Sequence, residues 1–163
     1  MNIKTLIYST VAERLQVDAG SFQNWKGENM PLNVKLLRKI KRHILAVPNR
    51  FQMEWWKTTD KPGTSVRLDG LDRRVPKCGT VCCLAGWALE LSGKDASIVD
   101  YVPGTAAELI GTPEAHNLFI LNWWHKAVTN GQELSYAFVT AKTVRKQVSI
   151  VAQLIDQFIA EHK

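Results

Sequence analysis

The residues of this chain that could do covalent chemistry are three cysteines and the histidines within reach of them. Cys78, Cys82 and Cys83 all fall within residues 77–93, K-C-G-T-V-C-C-L-A-G-W-A-L-E-L-S-G. Thr80 can cap a helix that runs on from Val81 to Leu91, and Gly93 sits where a helix C-terminal glycine belongs. Cys78 stands just ahead of that start. Free N–H groups and the positive end of the helix dipole favour a thiolate there, and Lys77 adds positive charge. With His116 or His125 as base, Cys78 would be a nucleophile. The inert reading is preferred: Cys78 caps the helix, and Cys82 and Cys83 pack beneath it. A zinc site would draw on Cys78, Cys83 and one or two of His43, His116 and His125. Those two cysteines lie five apart, outside the two-to-four spacing of structural zinc sites. No catalytic residue, metal or cofactor is therefore assigned. Three is an odd number of cysteines, which argues for reduced thiols in a cytoplasm rather than a disulfide framework.

The second chemistry is electrostatic. Residues 1–77 carry 15 Lys/Arg against 7 Asp/Glu, and residues 78–163 carry 6 against 8, which accounts for the net charge of +6. A basic first half beside a nearly neutral second half points to a polyanionic partner. The cations concentrate where Asn33 can cap a helix from Val34 to about Ala46. Val34, Leu37, Ile40, Ile44 and Leu45 form its expected core stripe, and Lys35, Arg38, Lys39, Lys41 and Arg42 cover the rest. Such a face suits phosphate contacts, or is simply solvated.

Several elements must hold these residues in place. With 163 residues and 45% hydrophobic content, the chain can build one core and a small appendage. No apolar run approaches the roughly 20 residues that span a bilayer, so no membrane partner is expected, and the N-terminus lacks a signal-peptide pattern. Residues 77–93 supply the least polar helix-length segment, with apolar or small residues on nearly every side. Such a helix is central, and other elements pack around it. Asp69-Gly70, flanked by apolar residues, is a hairpin signal at about 65–75. Thr105 caps a short helix ended by Gly111, and Thr112-Pro113-Glu114 starts another. Val144, Val148, Val151, Ile155, Phe158 and Ile159 recur at helical spacing, predicting a long amphipathic helix from about Thr140 to Glu161.

Two resemblances add to this reading. Residues 7–26, I-Y-S-T-V-A-E-R-L-Q-V-D-A-G-S-F-Q-N-W-K, resemble the helix-turn-helix of phage-repressor-like DNA-binding proteins. Ala12 matches the small residue where the helices cross, and Phe22 and Trp25 match the buried positions of the second helix. Gln16 replaces the usual turn glycine, and hardly any chain precedes Ile7 to form the family's first helix. The resemblance implies that Ser21, Gln23, Asn24 and Lys26 face DNA in the major groove. Residues 34–163 resemble a family of uncharacterised bacterial and phage proteins through H-I-L-A-V-P-N-R-F-Q-M-E-W-W, C-G-T-V-C-C-L-A-G-W-A, A-A-E-L-I-G-T-P-E-A-H-N-L-F and a closing amphipathic helix. That likeness implies a helical fold and no particular chemistry. C-G-T-V-C-C also resembles the C-G-[SA]-C-[WY] of papain-like proteases. There, however, the nucleophile is the second cysteine and an aromatic residue follows it.

The sequence thus predicts a mostly α protein with a single helical core around a central apolar helix at about 80–92. A helix-turn-helix-like appendage occupies residues 1–33, the core domain spans 34–163, and a small β-hairpin lies at about 65–75. The expected role is a non-enzymatic, DNA-associated regulatory or phage/host accessory protein. Its nucleic-acid-binding residues would be Ser21, Gln23, Asn24, Lys26, Lys35, Arg38, Lys39, Lys41 and Arg42. A protein–protein interaction module and a thiol enzyme using Cys78 are the alternatives, and a homodimer is an expected assembly.

Overall fold

The computed structural model describes residues 31–53, 55–57, 66–67, 82–94 and 102–163. The expected helix-turn-helix at residues 1–33 lies almost wholly outside the described residues. What is described is mostly helical, as expected.

Helix α1 spans Val34–Ala46, with the predicted bounds. Its start is set by Asn33, whose Oδ1 accepts the Leu36 N–H at 3.0 Å. The same residue reaches the far end of another helix. Its backbone N–H donates to the Ile110 carbonyl at 2.7 Å, and its Nδ2 donates to the Leu109 carbonyl at 3.1 Å. One side chain therefore satisfies an orphan donor of one helix and an orphan acceptor of another. The core face of α1 is Leu36, Leu37, Ile40 and Ile44. The stripe is rotated from the expected one: Leu36 is buried while Leu45 is 46% exposed. Helix α1 packs against both α2 (Leu84–Ser92) and α6 (Val144–Glu161), so its buried arc is centred between Leu37 and Ile40, away from Leu45.

After α1 the chain makes a short 3-10 turn, Pro48–Arg50, and Phe51 then pairs with Cys82 in an isolated parallel bridge. The Cys82 N–H donates to the Arg50 carbonyl at 3.1 Å, and the Gln52 N–H donates to the Cys82 carbonyl at 3.2 Å. This pairing corrects the expected helix start. Cys82 is committed to extended backbone, Cys83 has ψ of −176°, and the helix begins at Leu84 instead of Val81. Helix α2 is central, as expected, contacting α1, the helix α3 at Val102–Ile110 and the first β-strand. Leu84 to Leu89 are all buried. Gly93, with φ of 87°, ends it in the left-handed region. The Gly93 and Lys94 N–H groups bond back to the Glu90 and Leu89 carbonyls, the two bonds of a Schellman ending.

Strand β1, Trp55–Lys57, pairs antiparallel with β2, Val66–Arg67. A strand does form at the start of the predicted hairpin, but its partner lies upstream. Residues 68–76, including Asp69-Gly70, lie outside the described residues. Helix α3 starts three residues before the expected cap at Thr105, with Pro103 in its first turn, and Gly111 ends it at φ of 93°. The expected start at Thr112-Pro113-Glu114 opens a 3-10 helix, Pro113–Phe119.

A second short 3-10 segment, Leu121–Trp123, leads into α4, Trp124–Ala127. Trp124 is fully buried. Its Nε1 donates to the Leu118 carbonyl at 2.9 Å, and its ring meets Phe138 edge-on at 5.4 Å. Phe138 belongs to α5, Gly131–Thr140, a helix the sequence reading did not anticipate. Only Leu134 and Phe138 among its larger apolar side chains are buried, while Tyr136 and Val139 are exposed. Gly131 lies so close to the Trp124 backbone that a Cβ would collide with its carbonyl. The closing helix α6 starts at Val144, later than the expected Thr140, because the Thr143 hydroxyl accepts the Lys146 N–H at 3.2 Å. Val148, Val151, Ile155, Phe158 and Ile159 are buried as expected, while Val144 is 41% exposed. Among the described residues no helix is long and apolar enough to cross a membrane.

Three substitutions test these joints by denaturant unfolding. Asn33→Ala removes a cap and a tertiary bond, and is expected to cost about 1–2 kcal/mol. Asn33→Asp, which keeps the cap oxygen but loses the donor to Leu109, should fall between the wild type and the alanine variant. Gly131→Ala should cost about 1–3 kcal/mol, because the new methyl group forces α4 and α5 apart.

Candidate nucleic-acid interface

Helix α1 contains no acidic residue and five Lys/Arg in thirteen positions. At 100° per residue its buried arc leaves Lys35, Arg38, Lys39 and Arg42 on the outer side, and all four are exposed. The structure divides the five cations into two groups. Lys41 turns toward α6 and forms an ion pair with Asp156, its Nζ donating to Oδ1 at 2.7 Å. Lys39 reaches the C-terminal end of α2, where its Nζ donates to the Leu91 carbonyl at 2.7 Å. That carbonyl belongs to the last turn of α2, where a cation is favoured by the dipole. Lys35, Arg38 and Arg42 remain, spaced i, i+3 and i+7, in one stripe along the outer face. Ser21, Gln23, Asn24 and Lys26 of the expected binding set, and the supporting Phe22 and Trp25, lie outside the described residues.

The start of α1 also borders an open groove of about 480 Å³, lined by Pro31, Leu32, Asn33, Val34, Lys35, Leu109 and Gly111. It forms where the start of α1 meets the end of α3. No local pattern signals it, since the two walls are more than seventy residues apart.

The thiol chemistry changes with the late start of α2. The residue at the helix N-cap is Cys83, not Cys78, and Cys78, Lys77 and Thr80 lie outside the described residues. Cys82 and Cys83 are both fully buried. Burial pushes the Cys83 thiol up to about 12, overcoming the backbone N–H groups at the helix start that favour the anion. Desolvation therefore wins over the helix terminus, and Cys83 is a core side chain at neutral pH. Of the candidate bases, His116 is buried, 3% exposed, with its ring 5.5 Å from that of Trp123. His125 is exposed on α4. His43 sits at the edge of the α1 core face, its ring centroid 4.1 Å from that of Trp87, and its buried Nε2 has no hydrogen-bond partner among the described residues. Among the described residues no cluster of three or more His, Cys, Asp or Glu side chains is arranged to hold a metal ion. The zinc grouping weighed for Cys78, Cys83 and one or two of His43, His116 and His125 includes Cys78, which lies outside the described residues.

Burial lowers the pKa of His116, and burial together with the nearby Arg50 charge lowers that of His43. Both groups bind protons more weakly folded than unfolded, so acid favours unfolding. Stability should hold above the ordinary histidine value of about 6.5 and fall as pH drops through the lowered folded values. The urea midpoint is expected to decrease between pH 7 and pH 5, and the decrease should shrink in His116→Gln. Placed beside known proteins, the chain matches no family model, no curated protein and no solved structure.

Proposed function

We propose that this protein is a non-enzymatic, DNA-associated accessory or regulatory protein of a bacterial or phage system, and that the outer face of α1 is part of its DNA contact. One observation carries the reading. Lys35, Arg38 and Arg42 form an exposed cationic stripe on a helix that has no acidic residue and is fixed to the core along its other side. The +8 balance of residues 1–77 extends the same sign of charge beyond α1. Phosphates are the partners that such a rigid, one-signed surface attracts, and Arg binds them bidentately. The resemblance of residues 7–26 to a helix-turn-helix supports the same partner.

The thiol-enzyme alternative has less in its favour: Cys78 lies outside the described residues, and of its two candidate bases His116 is buried away from solvent. A protein-interaction module has the exposed Tyr136 and Val139 of α5 in its favour.

Titration onto a short DNA duplex tests the reading. Binding is expected at low salt and should weaken steeply as salt is raised. Neutralising Lys35, Arg38 and Arg42 together to Gln should reduce affinity by at least tenfold at low salt with unfolding unchanged. Absence of binding at low salt, or binding unaffected by the triple variant, would overturn it.

A further inference from the structure

We infer that α1 grips the phosphate backbone of a single DNA strand and takes no part in reading base sequence; this rests on the reading that the protein binds DNA at all. A helix that reads bases must enter the major groove and present base-edge partners there. Helix α1 offers only Lys and Arg for such contacts. It is packed against α2, α3 and α6, with Leu36, Leu37, Ile40 and Ile44 buried, so only its outer arc can approach a ligand. That arc carries Lys35, Arg38, Lys39, Arg42 and Leu45. Helix α1 contains no Asn, Gln, Ser or Thr, and so nothing with the paired donor and acceptor that matches adenine. Lys39 is held on the Leu91 carbonyl and Lys41 on Asp156. The remaining cations, Lys35, Arg38 and Arg42, span about 10 Å along the helix axis at 1.5 Å per residue. That length exceeds the axial rise of about 3.4 Å between successive phosphates of one strand, so the stripe can meet more than one phosphate of the same strand. Sequence selection, if the protein has any, must therefore come from another part of the chain.

The test compares two duplexes of equal length, one all A·T and one G·C-rich, because guanine is the base that Arg38 or Arg42 could read. Binding of the full chain is followed as a function of salt for Lys35→Gln, Arg38→Gln and Arg42→Gln. Lys142→Gln, at an exposed lysine ahead of α6, serves as control. Each stripe variant should weaken both duplexes by the same factor and reduce the log–log salt slope by about 0.9, the value for one phosphate contact. The control should leave the slope unchanged. A stripe variant that weakens the G·C-rich duplex more than the A·T one overturns the inference while leaving DNA binding intact. So does a slope that does not change, or that changes equally in the control. If the wild-type protein binds neither duplex at low salt, the inference and the reading beneath it both fall.

Discussion

The six residues from Leu84 to Leu89 in α2 are all buried, so this helix has no stripe to turn toward water, and its neighbours must enclose it. An amphipathic helix can settle on a core from one side, but an apolar helix has to be surrounded before its burial contributes fully. Helix α1, helix α3, the 3-10 helix at Pro113–Phe119 and strand β1 all contact α2. The enclosure has a polar hinge at the Arg50 carbonyl. It accepts the Cys82 N–H at 3.1 Å and the Trp87 indole N–H at 3.1 Å. Those two bonds set where the chain enters α2 and how its first turn is rotated. The Cys83 thiol is carried into the core by the same arrangement, and burial then removes its acidity.

The same enclosure sorts the charges of α1. A helix with five cations in thirteen residues would repel itself if they were all left to solvent on one side. Lys41 is drawn to Asp156 and Lys39 to the end of α2. An exposed ion pair of this kind is worth only about 0–1 kcal/mol, so its structural effect lies more in direction than in strength. The three cations not used in this way share a stripe because they share a helical face, and that face is outward because the opposite one is core. The proposed DNA contact is thus a by-product of how α1 is seated.

Much of the fold was legible wherever a single residue type has a single physical job. Asn33 stops the backbone before α1 by supplying a cap oxygen. Gly93 and Gly111 take positive φ after their helices, which side chains with a Cβ resist. The periodic Val, Ile and Phe residues of α6 are buried as their spacing requires. The candidate site was legible in part: the cationic character of α1 is written in its composition, but which lysines are diverted is not. Asp156 is 115 residues from Lys41, and no local pattern connects them. Helix α5 was missed because its start, Asn130-Gly131, has turn chemistry and its buried residues are few. Gly131 is there to clear the Trp124 carbonyl, a contact between neighbouring helices.

The sequence by itself determined that α1, α2, α3 and α6 are helical, where several of them end, and that α1 would be basic and α2 central. These follow from backbone hydrogen bonding, glycine conformation and hydrophobic period, all of which act within a few residues. Only the tertiary structure decided that α2 begins at Leu84, that β2 pairs with Trp55–Lys57, and that Lys35, Arg38 and Arg42 are the cations left facing outward. Each of these depends on a partner far away in the chain. A backbone group or a charge goes to whichever partner the packed core brings within reach, and local propensity has no information about that distance.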